Sequence, residues 1–193
     1  MDEAQRAIPE AVGVDAERDV IERGIRGDAA AFSALYDRHL TRVYRHVYYH
    51  LGNQADAEDV TQQVFLNAWQ AMPRFRSTGA PFVVWLLTIA HNLVVSFYRR
   101  AKDDRPLDLD PIARERWSDP EAEALSRFDH ETVRRGILRL RPDYRSVIVL
   151  RFVEGLGYDV IAAAIDKSEV NVRVIQHRAL AELRRLLTHE VKA

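Results

Sequence analysis

Apolar residues recur along most of this chain at intervals of three and four, the period of a helix with one buried face, so the pattern predicts an all-α protein. Arg18 to Arg26 reads as a short helix stopped by Gly27, and Asp28 can cap the next one. Ala29 to Leu51 is a long helix offering Phe32, Leu35, Tyr36, Val43 and Val47 to a core, and Gly52-Asn-Gln closes it. In the following helix Ala57, Val60, Val64, Ala68 and Met72 share one face, with Phe65 and Trp69 on its flank. Pro73 ends it, since proline cannot continue a helix. After the loop Arg74-Phe-Arg-Ser-Thr-Gly, a very apolar helix starts at Ala80. It carries Phe82, Trp85, Leu86, Leu87 and Ile89, is interrupted by His91 and Asn92, and ends in Phe97-Tyr-Arg-Arg.

Beyond Arg100 the periodicity fades. Lys102-Asp-Asp-Arg-Pro and Asp108-Leu-Asp-Pro leave few apolar residues in succession, which reads as a polar linker. A second helical set begins near Asp119-Pro120, where Asp suits the N-cap and Pro the first helical position. One helix runs to about Leu140. Another starts at Arg141-Pro-Asp, carries Tyr144, Val147, Ile148, Leu150 and Phe152, and stops at Gly155. Gly157 to Ile165, the turn Asp166-Lys-Ser, and Glu169 to Leu187 with Ser168 as cap complete a helix-turn-helix pattern. The expected organisation is a disordered tail over 1–17, a first domain over 18–102, a linker over 103–118, a second domain over 119–188 and a tail over 189–193.

Length and charge narrow the function. The chain's 193 residues allow one large or two small domains. It has no cysteine, which excludes disulfides and thiolate metal sites and suits a reducing cytoplasm. The N-terminus is acidic and Ala-rich with no apolar core, so no signal peptide is expected. The apolar stretch Phe82 to Tyr98 is slightly short for a membrane span and contains Thr, His and Asn, so it reads as a buried helix, with no membrane insertion. With 28 Lys+Arg against 29 Asp+Glu, the chain lacks the positive excess of a protein that grips DNA unaided. Any DNA contact should be local and assisted by a larger partner.

Three stretches carry candidate chemistry. Asp56, Asp59, Gln62, Gln63, Asn67 and Gln70 make an acidic and amide face with Leu66 in its middle. Such a face is either simply solvated or a docking surface for a basic helix, because carboxylates attract Arg and Lys while amides fix register. The loop and helix from Arg74 to Arg100 set aromatics beside cations, as a single-stranded nucleic-acid surface requires, although Phe82 and Trp85 serve a core equally well. His46 and His50 stand four residues apart, but no third metal ligand is evident, so a solvated or stacked pair is the better reading. No metal, cofactor or catalytic group is expected.

The motifs D-A-E-D-V-T-Q-x-V-F-x-x-A-W, F-R, P-F-x-x-W-L-x-x-I-A-x-N and the closing R-R, in that order, resemble region 2 of the extracytoplasmic-function class of bacterial sigma factors. L-R-P-x-x-R-x-V, R-F-V-E-G-L, G-Y-x-x-I-A and H-R-A-L-A-x-L-R resemble region 4 of the same family. The resemblance implies two helical domains, with no catalytic step. Asp56, Asp59, Gln62, Gln63 and Leu66 would dock on the beta-prime clamp coiled coil of core RNA polymerase, whose beta flap is the other expected contact. Arg74, Arg76, Trp85 and Asn92 would hold the melted downstream promoter element. Arg99 and Arg100 would bind phosphates of the adjoining duplex. Asn171, Arg173, His177 and Arg178 would contact the upstream element. An anti-sigma factor is a further implied partner, and the linker would run through the polymerase.

The chain departs from the family pattern at several places. Gln63 stands where many members have Glu. Gly157 replaces a capping Ser or Thr, and Asp166 replaces a turn glycine. In the last helix, Val174 and Ile175 replace a small polar residue and an Arg. They imply a changed set of base contacts, since thymine methyls accept apolar side chains. Alternatively the helix packs on protein, or Val172, Ile175 and Ala179 form one inward stripe. Two other readings stay open: a stand-alone helix-turn-helix regulator, and a sigma-like chain that titrates a partner. An enzyme is the least supported, since no phosphate loop, nucleophile elbow or metal spacing is present.

Overall fold

The computed structural model describes residues 9–77, 79–104 and 123–190, and among them every regular element is helical. Four helices form the first lobe. They are α1 (Pro9–Ile25), α2 (Ala29–Leu51), α3 (Gln54–Ala71), which continues as a 3-10 turn over Met72–Arg74, and α4 (Phe82–Asp104). The expected boundaries of α2 hold to the residue, for a visible reason. Asp28 accepts hydrogen bonds from the Ala30 and Ala31 amides at 2.9 and 3.1 Å, and Gly52 closes the helix in the left-handed region at φ 72°.

The expected tails and the end of the first lobe need correction. The segment expected to be tail up to residue 17 is helical from Pro9, whose fixed φ suits a first turn. Its hold is tertiary: Glu17 accepts a hydrogen bond from His39 at 2.9 Å and pairs with Arg38 at 3.5 Å. At the other end of the lobe, α4 runs through Asp104, past the expected close at Arg100 and the 102/103 boundary. Residues 105–118 of the linker, together with Asp119 and Pro120, lie outside the described residues.

The second lobe comprises α5 (Glu123–Arg139), α6 (Pro142–Ile148) running into a π-helical turn at Val149–Val153, α7 (Tyr158–Ala164) and α8 (Glu169–Glu190). Asp166 takes the left-handed conformation at φ 52°, which Asp tolerates better than most residues, so the α7–α8 turn forms without glycine. Ser168 accepts a hydrogen bond from the Asn171 amide at 3.3 Å and caps α8 as expected. Residues 189 and 190, placed in the tail by the sequence, are the last of α8.

The lobes pack on each other, and α4 is what they share. Its Phe82, Leu86, Ala90 and Val94 fill the first core with Leu35, Val43, Val47, Val64 and Met72. Its Val83, Val84 and Leu87 fill a second core with Val147, Leu150, Leu156, Ile161 and Val172 from the other lobe. Burying a side chain of this size stabilises by about 1.5–3 kcal/mol, so three such residues on one helix favour the closed arrangement. A membrane span is a poor description of this helix, although Phe82–Arg100 is long and apolar enough for one. Both of its apolar faces already have protein partners.

Candidate nucleic-acid and partner interface

Helix α3 separates its two faces cleanly. Ala57, Thr61, Val64, Phe65 and Ala68 are buried against α2 and α4. On the far side Asp59, Gln62 and Gln63 are exposed, Asp56 is half-buried, and Leu66 stands 50% exposed among them. The Gln63 amide donates to Asn67 Oδ1 at 2.7 Å, which fixes it along the helix. The Asp56 backbone N–H is held by Asn53 Oδ1 at 2.9 Å. An apolar side chain ringed by acceptors and amides, on a rigid helix, is a surface suited to a basic helical partner.

The second candidate surface lies along α4. At helical spacing Asn92, Val95 and Arg99 share the face that neither core claims, and all three are exposed, as is Arg100. At the N-terminal end of this stripe is a cleft of about 320 Å³. Phe75, Arg76, Pro81, Trp85 and Thr88 form one wall, and Asp159, Val160 and Ala163 of α7 form the other. The aromatic ambiguity resolves in two directions. Phe82 is core at 3% exposure. Trp85 is half-buried, held by ring contacts to Phe75 at 4.9 Å and Phe82 at 5.3 Å, and it still reaches the cleft. Arg74 and Arg76 are exposed on the loop before α4.

The third surface is the outer face of α8. Val172 and Ala179 are fully buried and Ile175 packs beside Val172, so these residues form the inward stripe. Ile175 is thus a packing residue, whereas Val174 stays outside at 41% exposure. Asn171, Arg173, His177 and Arg178 are exposed. Arg173 pairs with Glu169 at 3.0 Å and lies 4.0 Å over the Tyr158 ring, whose geometry also accommodates Arg151 at 4.7 Å. The three surfaces occupy different helices and do not converge on a single pocket.

A set of residues that local sequence patterns did not single out joins the lobes. Arg42 of α2 donates to Glu154 Oε2 at 2.7 Å and to the Glu154 carbonyl at 2.9 Å, and the Glu154 side chain is fully buried. Arg145 is buried and bonds to carbonyls at the ends of both α2 and α5, and to Tyr98 of α4. His46 and His50 touch with ring centroids 4.8 Å apart, but the rings are tilted by 53° and both are buried, so the pair is neither stacked nor solvated. Burial, followed by the His91 and arginine charges nearby, pushes His46 down to about 3. His50 is likewise held well below its ordinary value, first by burial and then by His46 and Arg145. Among the described residues no cluster of metal-ligating side chains occurs.

These helices and faces carry the expected motifs in a two-lobed arrangement, the architecture of a sigma factor. Sigma-70 region 2 matches residues 35–103, and Sigma-70 region 4 matches residues 130–183. The chain is 32% identical over 180 residues to the ECF RNA polymerase sigma factor BldN of Streptomyces coelicolor, covering 90% of this chain and 67% of BldN. It is 33% identical over 173 residues to the ECF RNA polymerase sigma factor SigD of Mycobacterium tuberculosis, covering 86% of this chain and 81% of SigD. The structure resembles that of CnrH in complex with the cytosolic domain of CnrY, with a TM-score of 0.67 and 26% identity, over 90% of this chain and 98% of CnrH. The chain belongs to the extracytoplasmic-function family of RNA polymerase sigma factors.

Proposed function

We propose that this chain directs core RNA polymerase to a restricted set of promoters by dividing the work among its three surfaces. Asp56, Asp59, Gln62, Gln63 and Leu66 on α3 dock the beta-prime clamp coiled coil, and the α5–α8 lobe meets the beta flap. Arg74, Arg76, Trp85 and Asn92 hold the separated strand of the downstream element. Arg99 and Arg100 neutralise phosphates of the adjoining duplex. Asn171, Arg173, His177 and Arg178 contact the upstream element. The observation that carries this reading is the separation of an acidic, amide-rich face on α3 from the aromatic and cationic stripe on α4. Each surface has the chemistry of its assigned partner, and the balanced net charge of −1 leaves DNA affinity to be supplied by the polymerase.

The mechanism is recruitment and strand opening, without a covalent step. Extruding a base costs a few kcal/mol, which capture of the base can offset, and an amide such as Asn92 both donates and accepts. In the closed arrangement α7 walls the cleft beside Trp85, and Asp159 would repel a phosphate there. Strand capture therefore requires α7 to part from α4, and polymerase binding is the event that separates the lobes. The complex of CnrH with the cytosolic domain of CnrY supports a protein partner for this chain as well, and an anti-sigma factor is the partner that membership of the family suggests. The cysteine-free composition suits action in the cytoplasm.

Transcription reconstituted from core polymerase, this chain and genomic template tests the reading, and no specific start sites would remove it. The joint substitution Asp59→Ala and Gln62→Ala should weaken core binding tenfold or more, by loss of charge-assisted and amide hydrogen bonds of about 1.5–3 kcal/mol. Both positions are exposed, so the helical circular dichroism should not change. Unaltered affinity would mean that α3 is not the docking face. Asn92→Ala should leave core binding intact and reduce open-complex formation, read by permanganate footprinting. Equal loss of both would count against its role.

A further inference from the structure

The outer face of α8 has an apolar centre that the contacts assigned above do not use. Val170 is 73% exposed and Val174 is 41% exposed, one helical turn apart near the start of the helix. Placed on a helical wheel, these two valines and Ala181 lie together on the side of the helix away from the buried stripe of Val172, Ile175 and Ala179. Arg173 and His177 flank them on one side, and Asn171 and Arg178 on the other, all exposed. Exposing a valine to water gains nothing for the fold, and polar residues would serve a solvated face better. Two rows of cations and polar groups with an apolar ridge between them match a duplex groove, whose phosphates line both edges and whose base edges form the floor.

We infer that Val170 and Val174 are specificity-determining residues that read thymine methyl groups in the major groove of the upstream element. The inference rests on the reading of α8 as the helix that enters that groove. A valine side chain has no hydrogen-bonding atom. The major groove offers it one apolar feature, the thymine 5-methyl group. Arg173 and Arg178 supply the phosphate contacts that set the register. Neither valine is part of either core, so both can be exchanged without disturbing the lobe.

The full chain, bound to core polymerase, is used to select upstream sequences from a randomised duplex library. Each thymine in the selected element is then replaced by deoxyuridine, which removes one methyl group and leaves every hydrogen bond in place. Expected is a loss of about three- to fivefold in affinity at one or two thymines, the effect of withdrawing one methyl-sized group from an apolar contact. In the Val174→Ser holoenzyme the penalty at one of them should vanish, so that thymine and uracil bind alike. Val174→Thr, which keeps a methyl group, should restore part of it. Selection of an element with no uracil penalty anywhere would overturn the inference alone, as would an unchanged penalty in Val174→Ser, and the valine ridge would then belong to a protein contact. Failure to select any upstream sequence would overturn the α8 reading itself, and the inference with it.

Discussion

Arg145→Ala is expected to lower the unfolding free energy by about 3–5 kcal/mol, read as a shift in the urea midpoint at constant slope. The size follows from how fully this buried guanidinium is used. Nε donates to the Ile137 carbonyl at 3.2 Å, Nη2 to the carbonyls of Leu138 and Leu140, and Nη1 to the His50 carbonyl and the Tyr98 hydroxyl. An arginine has five N–H donors, and here each has an acceptor. Desolvation lowers the pKa of this arginine, opposed by its contact with Tyr98. The charge is tolerated because the carbonyl ends of α2 and α5 present their negative dipole ends to it. Truncation takes the guanidinium donors from the Leu138 and Leu140 carbonyls and leaves the His50 carbonyl with the Tyr98 hydroxyl alone. Arg145→Lys should recover little, since an ammonium has three donors and no planar fork. Tyr98→Phe removes one member of the set and should cost about 1 kcal/mol. A loss below 1 kcal/mol for Arg145→Ala would show that the lobes do not depend on this residue.

The helices were legible in the chain because their ends are marked by local chemistry. Asp28, Gly52, Asp166 and Ser168 each act within a few residues of themselves. The start of α1 was not legible, because Glu17 is secured by His39 and Arg38 from another helix. The same distinction divides the candidate site. Periodicity alone placed Asp59, Gln62, Gln63 and Leu66 on one polar face of α3, and that face is the exposed one. Periodicity offered Ile175 an inward place with Val172 and Ala179 but left it open against a changed base contact or a protein contact, because the pattern does not show what packs on the helix. Ile175 meets the core shared by α4 and α7, and Val174 meets nothing of that core. The seam was least legible. Arg42 and Glu154, like His50 and Arg145, are brought together only when the lobes close, and no local pattern encodes a contact between them.

Acid should weaken the folded chain steeply, and the buried histidines set the direction. His46 has no hydrogen-bond partner on either ring nitrogen, and its Nδ1 stands 3.9 Å from Glu154 Oε1. Glu154 is already engaged by Arg42 at 2.7 Å, and Arg45 lies 3.9 Å from the same carboxylate. The remaining charged or titratable neighbours of the pair, His91 and Arg145, disfavour a proton further. A histidine whose folded pKa is near 3 against an ordinary value near 6.5 is neutral when folded and protonates on exposure. Stability is therefore full above pH 7.5 and falls as pH drops through 6.5, because the unfolded state binds the proton. From His46 alone the loss is about 2 kcal/mol at pH 5, and His50 acts in the same direction. Urea unfolding at pH 7.5 and pH 5 measures it, with His46→Leu as the control that removes the titrating group while keeping an apolar volume. The wild type should lose stability between the two pH values by clearly more than the variant. Equal losses in both would mean that other groups govern the acid response and that His46 takes up its proton without leaving the core.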